Sequence, residues 1–231
     1  MTVLVPSNPV VGRAALEGAV TGPWRAFTWR GTMLHRDGAL PVSAARGTVF
    51  LDTRGARPVV EAEVGFMPLA LGGLAGTWPD LPAQGNVRGT VRLSGTVDRL
   101  AIDADLDGTP GHVAGRLLAV SDATGRGIDS LDVKFDSLDL SAVAGPRYRS
   151  QLAGTAAGSY RADTAGVATG TVAIALGAGW VREIFIDSAA VAATVDRTVI
   201  TIDTAFVRWN GGKLEGTADK LPGSSRNSYI R

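Results

Sequence analysis

The chain has 231 residues, 45% hydrophobic and 19% charged, with 23 basic against 22 acidic side chains and no cysteine. That length suffices for one large β domain or for a segment of a longer protein, and the missing cysteines exclude disulfide frameworks, thiolate metal centres and cysteine nucleophiles. The two signs of charge are interspersed rather than gathered in blocks, which excludes the basic stripe of a nucleic-acid binder.

In chain order, the opening "MTVLVPSNPVVGRAALEGAV" has no basic n-region and is broken by Pro6, Asn8 and Pro9, so it is not a signal peptide. No run of 18 apolar residues occurs anywhere for a membrane-spanning helix. The expectation is a cytoplasmic protein or an internal piece of an exported one. Alternating apolar and polar residues then predict strands at Thr48–Leu51, Val59–Phe66, Val87–Leu93, Leu100–Leu106, Leu131–Phe135, Thr171–Leu176, Ile184–Ile186, Val191–Val195, Thr198–Ile202 and Ala205–Trp209. In "GNVRGTVRLSGTVDRLAIDADLDG" (Gly85–Gly108) the pattern is written twice around a Thr-Val-Asp turn, which predicts an antiparallel hairpin. "DRTV" and "NGGK" read as tight turns between consecutive strands. Glycine scattered through the apolar windows costs about 1 kcal/mol per helical position and leaves one short helix candidate, "PLALGGLAG" (Pro68–Gly76). The stretch Tyr148–Gly170 is too rich in small residues to phase.

An internal quasi-repeat relates residues 66–92 to residues 135–161 at an offset of 69, with eight identities, among them Phe66/Phe135, Leu69/Leu138, Gly85/Gly154 and Gly89/Gly158. Repeated β units of fixed order predict growth in one dimension rather than a small closed barrel. The fold class expected is therefore all-β: one elongated, curled antiparallel or mixed sheet with at most one short helix, residues 1–231 forming a single β-repeat segment of a longer chain.

Candidate chemistry is sparse. "DADLDG" (Asp103–Gly108) has the first half of a calcium loop, but its twelfth position is Ala114 where a bidentate Glu is needed, so the acids read as the solvent face of a strand. His35 and His112 are the only histidines and sit beside turn residues, which predicts exposed loops. "GGKLEG" (Gly211–Gly216) lacks P-loop spacing and reads as a turn. Trp24 and Trp29 interleave with Arg25 and Arg30, without the wider basic stripe that base stacking needs. With no converging acid, base, nucleophile or metal set, no catalytic residue, metal site or cofactor is expected, and the protein reads as non-enzymatic.

The order and spacing of these units resemble the repeats of the TamB family, within the AsmA-like group of bacterial envelope proteins. "FMPLALGGLAGTWPDLPAQGNVRGTVRLSGTVDRLAIDADLDG" (Phe66–Gly108), "GRAALEGAVTGPWRAFTWRGTMLHRDG" (Gly12–Gly38) and "IFIDSAAVAATVDRTVITIDTAFVRWNGGKLEGTADKL" (Ile184–Leu221) carry the resemblance. It implies a β-taco with an apolar lining, in a protein anchored in the inner membrane, crossing the periplasm and carrying phospholipid towards the outer membrane. An outer-membrane barrel of the Omp85 class is the implied protein partner. Family chains are far longer, with a membrane anchor and a characteristic C-terminal domain, so the chain is expected to be a segment whose anchor lies elsewhere. Phospholipid acyl chains are the expected ligand and nucleic acid is not. By strand parity the lining would include Val64, Phe66, Val87, Val91, Leu93, Leu100, Ile102, Leu106, Val172, Ile174, Leu176, Ile184, Ile186, Ile200 and Ile202. The rival expectations are a β-solenoid stalk or interaction module with a closed dry core, and a module that aids outer-membrane protein assembly by pairing with strand edges.

Overall fold

The structure, a computed structural model, describes residues 11–38, 40–74, 84–197 and 199–222. It is all-β: one open sheet of fifteen strands in which every ladder is antiparallel. The strands are β1 (Arg13–Thr21), β2 (Ala26–Arg36), β3 (Ser43–Asp52), β4 (Val59–Ala70), β5 (Asn86–Thr96), β6 (Arg99–Gly108), β7 (Gly111–Asp122), β8 (Gly125–Leu138), β9 (Ser150–Asp163), β10 (Ala168–Leu176), β11 (Gly179–Val181), β12 (Ile184–Ile186), β13 (Ser188–Asp196), β14 (Val199–Trp209) and β15 (Gly212–Pro222). Each pairs with its sequence neighbour, except that β11 and β12 leave the path as a small hairpin against the start of β9, so that β10 pairs with β13. The main path thus runs through thirteen strands, with β1 and β15 at its two edges.

Short turns set this order. The expected hairpin is β5–β6, closed by a two-residue turn between the paired Thr96 and Arg99. "NGGK" turns β14 into β15 with φ of 37° at Asn210 and 81° at Gly211, the two positive values that match strand twist in a tight hairpin. In the turn after β9, the Asp163 carboxylate accepts the N–H groups of Ala165 and Val167, both at 2.8 Å.

The helix expected over Pro68–Gly76 contracts to a 3-10 turn at Leu71–Leu74, because Pro68–Ala70 completes β4, while residues 75–76 lie outside the described residues. A four-residue helix, α1 (Ser141–Ala144), and a 3-10 turn at Pro146–Tyr148 link β8 to β9. The two strands expected at Thr198–Ile202 and Ala205–Trp209 are one strand, β14, whose pairing slips between Ile202 and Ala205. The unphased Tyr148–Gly170 holds β9 and the start of β10. Strands β1, β2, β7, β9, β11 and β15 were not predicted by alternation.

Bulges fall at equivalent places of the quasi-repeat. Pairing slips between Phe66 and Leu69 in β4 and between Phe135 and Leu138 in β8, and a short helical turn follows each. Beyond those turns the copies fall out of phase by four residues: Phe66 faces Gly89, whereas Phe135 faces Gly154 rather than Gly158. The link before β9 anchors itself through two buried or half-buried polar side chains. Ser150 Oγ accepts the Leu140 N–H at 2.8 Å and donates to the Leu138 carbonyl at 3.0 Å. Ser150→Ala strands both groups and is expected to lower stability by about 1–3 kcal/mol, read from urea unfolding curves.

Among the described residues no element packs over the sheet. The buried apolar residues among those described are mostly small, and no large side chain is fully buried. The accessible surface is 15288 Å², about half as much again as the roughly 9,900 Å² expected of a compact monomer of 23.8 kDa. Twist, bulges and glycine together curl a sheet of this width. Gly89 shows why glycine is needed: its φ is +135°, and a Cβ there would stand 2.0 Å from the Asp105 carbonyl oxygen of β6.

Candidate functional site: an uncovered apolar face

Residues directly opposite one another in a ladder share a face, so the registers can be followed across the sheet. One row crosses all thirteen strands of the main path: Val20, Trp29, Val49, Ala62, Leu93, Ile102, Leu117, Leu131, Gly158, Val172, Ala193, Ile202 and Ala218. Two residues along each strand, and three along β14 where the pairing slips, a parallel row from Gly18 to Gly216 consists only of Gly, Ala, Val and Ile. A third runs from Leu16 through Phe66, Leu106 and Phe135 to Leu214, and a fourth, on the other side of the first, from Phe27 through Leu100 and Tyr160 to Ile200. None of the four rows contains a charged residue. Single-layer exposure follows: Val20 is 63% exposed, Val172 37% and Leu214 64%, while the central members are half-buried by their neighbours on the face.

The structure gathers thirteen of the fifteen residues singled out by parity on this face. Leu93, Ile102, Val172 and Ile202 stand in the first row, Val64, Val91 and Ile174 in the second, Phe66, Leu106 and Leu176 in the third, and Leu100 and Ile200 in the fourth. Val87 lies one step further out, opposite Leu69 and Gly108. Ile184 and Ile186 stand off the main path instead: they belong to β12 in the side hairpin, opposite Val181 and Gly179. Sequence reasoning missed Val113, Leu117 and Ala119 of β7 and Tyr160 of β9. "HVAGRLLA" does alternate, but a glycine at one inward position and Leu118 at an outward one hide it.

The opposite face carries the charge. The row Glu63, Arg92, Asp103, Arg116, Asp132 alternates in sign across β4 to β8, with ion pairs Arg92–Glu63 at 3.0 Å and Arg116–Asp103 at 2.8 Å. Each such exposed pair contributes about 0–1 kcal/mol, so their main effect is on solubility and on register. A hollow of about 760 Å³ opens on this face among Arg88, Asp107, His112 and Lys134. The Asp103–Gly108 stretch is strand rather than loop, with Asp103 bound to Arg116 and Asp105 to His112.

The histidines depart from expectation. His35 lies within β2 and is 6% exposed, its Nε2 2.8 Å from the Val11 carbonyl oxygen, because β2 extends to Arg36 and carries it onto the packed end of the apolar face. His112 is in β7, on the charged face, with Nε2 2.8 Å from an Asp105 carboxylate oxygen. Trp24 is 84% exposed with the Arg25 guanidinium 5.9 Å from its ring centre, whereas Trp29 belongs to the apolar row. Trp78 lies outside the described residues.

At the edge of the face, the Asp139 carboxylate accepts the N–H groups of Ser141 at 2.9 Å and Ser150 at 3.0 Å. Burial raises its pKa, but hydrogen bonds from Ser141 and Ser150 and the nearby positive charge of Arg149 outweigh that and hold it below the usual carboxylate range. A depressed folded-state pKa gives stability that is present above the ordinary carboxylate pKa and is lost as pH falls through the folded value. Thermal unfolding of wild type and Asp139→Asn should therefore differ most near neutrality and converge in strong acid.

Among the described residues no three His, Asp or Glu side chains group as metal ligands, and no helix is long and apolar enough to cross a membrane. Comparison with family models, with curated proteins and with solved structures finds no match.

Proposed function

We propose that this chain is a non-enzymatic segment of a periplasmic, inner-membrane-anchored envelope protein, and that its apolar face carries phospholipid acyl chains between the two membranes. The observation that carries this reading is the set of uncharged rows on a face that no other element among the described residues covers. At about 4.8 Å between strands, thirteen strands make a strip roughly 60 Å long across the sheet. Burial of acyl chains contributes about 0.8 kcal/mol per CH₂ and has no preferred direction, so a lipid moves along the strip without being held at one point. The resemblance to TamB-family repeats supports the same role, and the anchor and an Omp85-class partner belong to that role through other parts of the protein.

The test is mass spectrometry of lipids that co-purify with the chain after expression in a two-membrane bacterium. Phospholipid in stoichiometric amounts is the expected result. A folded, lipid-free protein, with β-sheet circular dichroism intact, would overturn the reading and leave the face to a stalk or to strand pairing with other proteins.

A further inference from the structure

The two rims of the sheet, where its turns lie, differ in how they treat arginine. At the rim that carries the β5–β6 and β7–β8 turns, three arginines are neutralised, Arg57 by Asp98 at 2.7 Å, Arg99 by Asp129 at 2.8 Å and Arg161 by Asp122 at 3.1 Å, while Arg25, Arg126 and Arg197, which make no ion pair with a described residue, are scattered over separate hairpins. At the other rim, Arg147, Arg149 and Arg182 are all exposed, and none makes an ion pair with a described residue. Chain pairing brings them into one neighbourhood. The Arg182 N–H donates to the Arg149 carbonyl at 2.8 Å, and Ser150 pairs with Val181. Two acids lie nearby, Asp139, whose carboxylate accepts the N–H groups of Ser141 and Ser150 and feels the charge of Arg149, and Glu183 at the hairpin tip, so the three guanidinium groups outnumber the carboxylates by one.

The apolar face leads directly to this cluster. Beyond the third row come Leu138 and Leu152, paired with each other. The β11–β12 hairpin then continues the same side with Val181 and Ile184, the latter 57% exposed. An apolar strip that ends in exposed guanidinium groups without ion pairs has the two-part chemistry of a phospholipid, tails followed by phosphate.

We propose that Arg147, Arg149 and Arg182 form a headgroup site, which takes the phosphate of a phospholipid whose acyl chains lie on the adjoining apolar face. This rests on the lipid-carrying reading above and adds a chemical preference to it: phosphorylated lipids over neutral ones, applied at one rim only. Guanidinium groups hold phosphate by paired N–H donors, so the preference should weaken with salt.

The experiment uses the whole chain and two short-chain lipids of equal tail length, dihexanoyl phosphatidic acid and dihexanoylglycerol, with inorganic phosphate as a competitor. Wild type should bind the phosphatidic acid about tenfold more tightly than the diacylglycerol, the factor that one net charge-assisted contact gives. Arg147→Gln, Arg149→Gln and Arg182→Gln combined should remove that preference and its salt dependence while leaving diacylglycerol binding unchanged. A preference that survives the triple substitution overturns the headgroup site alone, as does competition by inorganic phosphate at equal concentration, which marks a free anion site. If neither lipid binds, the lipid-carrying reading falls and the headgroup site with it. Because the three side chains are exposed and unpaired, the substitutions leave the fold intact, checked by circular dichroism.

Discussion

Gly89→Val is expected to destabilise the protein by about 3–5 kcal/mol, enough to abolish a cooperative folded baseline in urea, because two penalties coincide at one position. The backbone there sits at φ +135°, where L side chains are strained, and the added Cβ would meet the Asp105 carbonyl oxygen at 2.0 Å. That oxygen belongs to the β6 backbone, so it cannot swing aside as a flexible side chain does. Relief requires β5 and β6 to separate around the Gly89–Leu106 pair, in the middle of the sheet. Gly65→Ala is the matched control. It lies on β4, on the charged face, with its nearest foreign atom 3.7 Å from the added Cβ, and its change should stay within about 0.5 kcal/mol. Equal losses for the two variants would mean that the close approach at Gly89 is not what shapes the sheet.

Changing Val91, Ile102 and Ile174 together to Glu is expected to remove co-purifying phospholipid by more than 100-fold while the far-ultraviolet spectrum keeps its β form. The asymmetry follows from where these side chains stand. All three lie in the uncharged rows and no element among the described residues covers them; Ile174 is 36% exposed. A carboxylate at these positions remains in contact with water in the empty protein and costs little. Once an acyl chain covers it, the same carboxylate must be desolvated, at several kcal/mol without a partner, which is far more than the few CH₂ contacts it replaces. Glutamates at Thr90, Ala101 and Thr171, neighbours on the opposite face, should leave lipid content as in wild type. Unfolding of the first triple variant would instead mean that its positions form a closed core, and the stalk reading would replace the conduit.

Period-2 alternation was the readable signal, and thirteen of the residues it singled out fall on one face because parity within a strand is local. What it could not supply is anything that interrupts parity. The bulges at Phe66–Leu69 and Phe135–Leu138 each insert a residue that no composition rule marks, and the link that follows is four residues shorter in the second copy, since Leu69 faces Val87 whereas Leu138 faces Leu152. Strand β9, "SQLAGTAAGSYRAD", faces inward with Leu152, Gly154, Ala156, Gly158 and Tyr160, residues too small for the most part to announce a period. Ile184 and Ile186 alternate like their neighbours, yet leave the main sheet because β10 pairs past them with β13. The rim arginines were invisible for a different reason. Twenty-three basic residues are spread along the chain, and only the ion-pair pattern of the folded state separates the neutralised from the unneutralised.

The order of the main path has a consequence for how such a chain comes to be. Apart from the step over the β11–β12 hairpin, each strand is hydrogen-bonded to the strand that immediately precedes it in sequence. The closures are therefore short, the entropy lost in each is small, and the sheet can be laid down one strand at a time as the polypeptide emerges. The same topology frees length from fold. A hairpin inserted or deleted between two existing strands disturbs only the ladders on either side, since no distant strand depends on it. The span of the apolar strip is thus a quantity that duplication of paired strands can adjust in steps of roughly 10 Å, two strand spacings, without redesign of the rest.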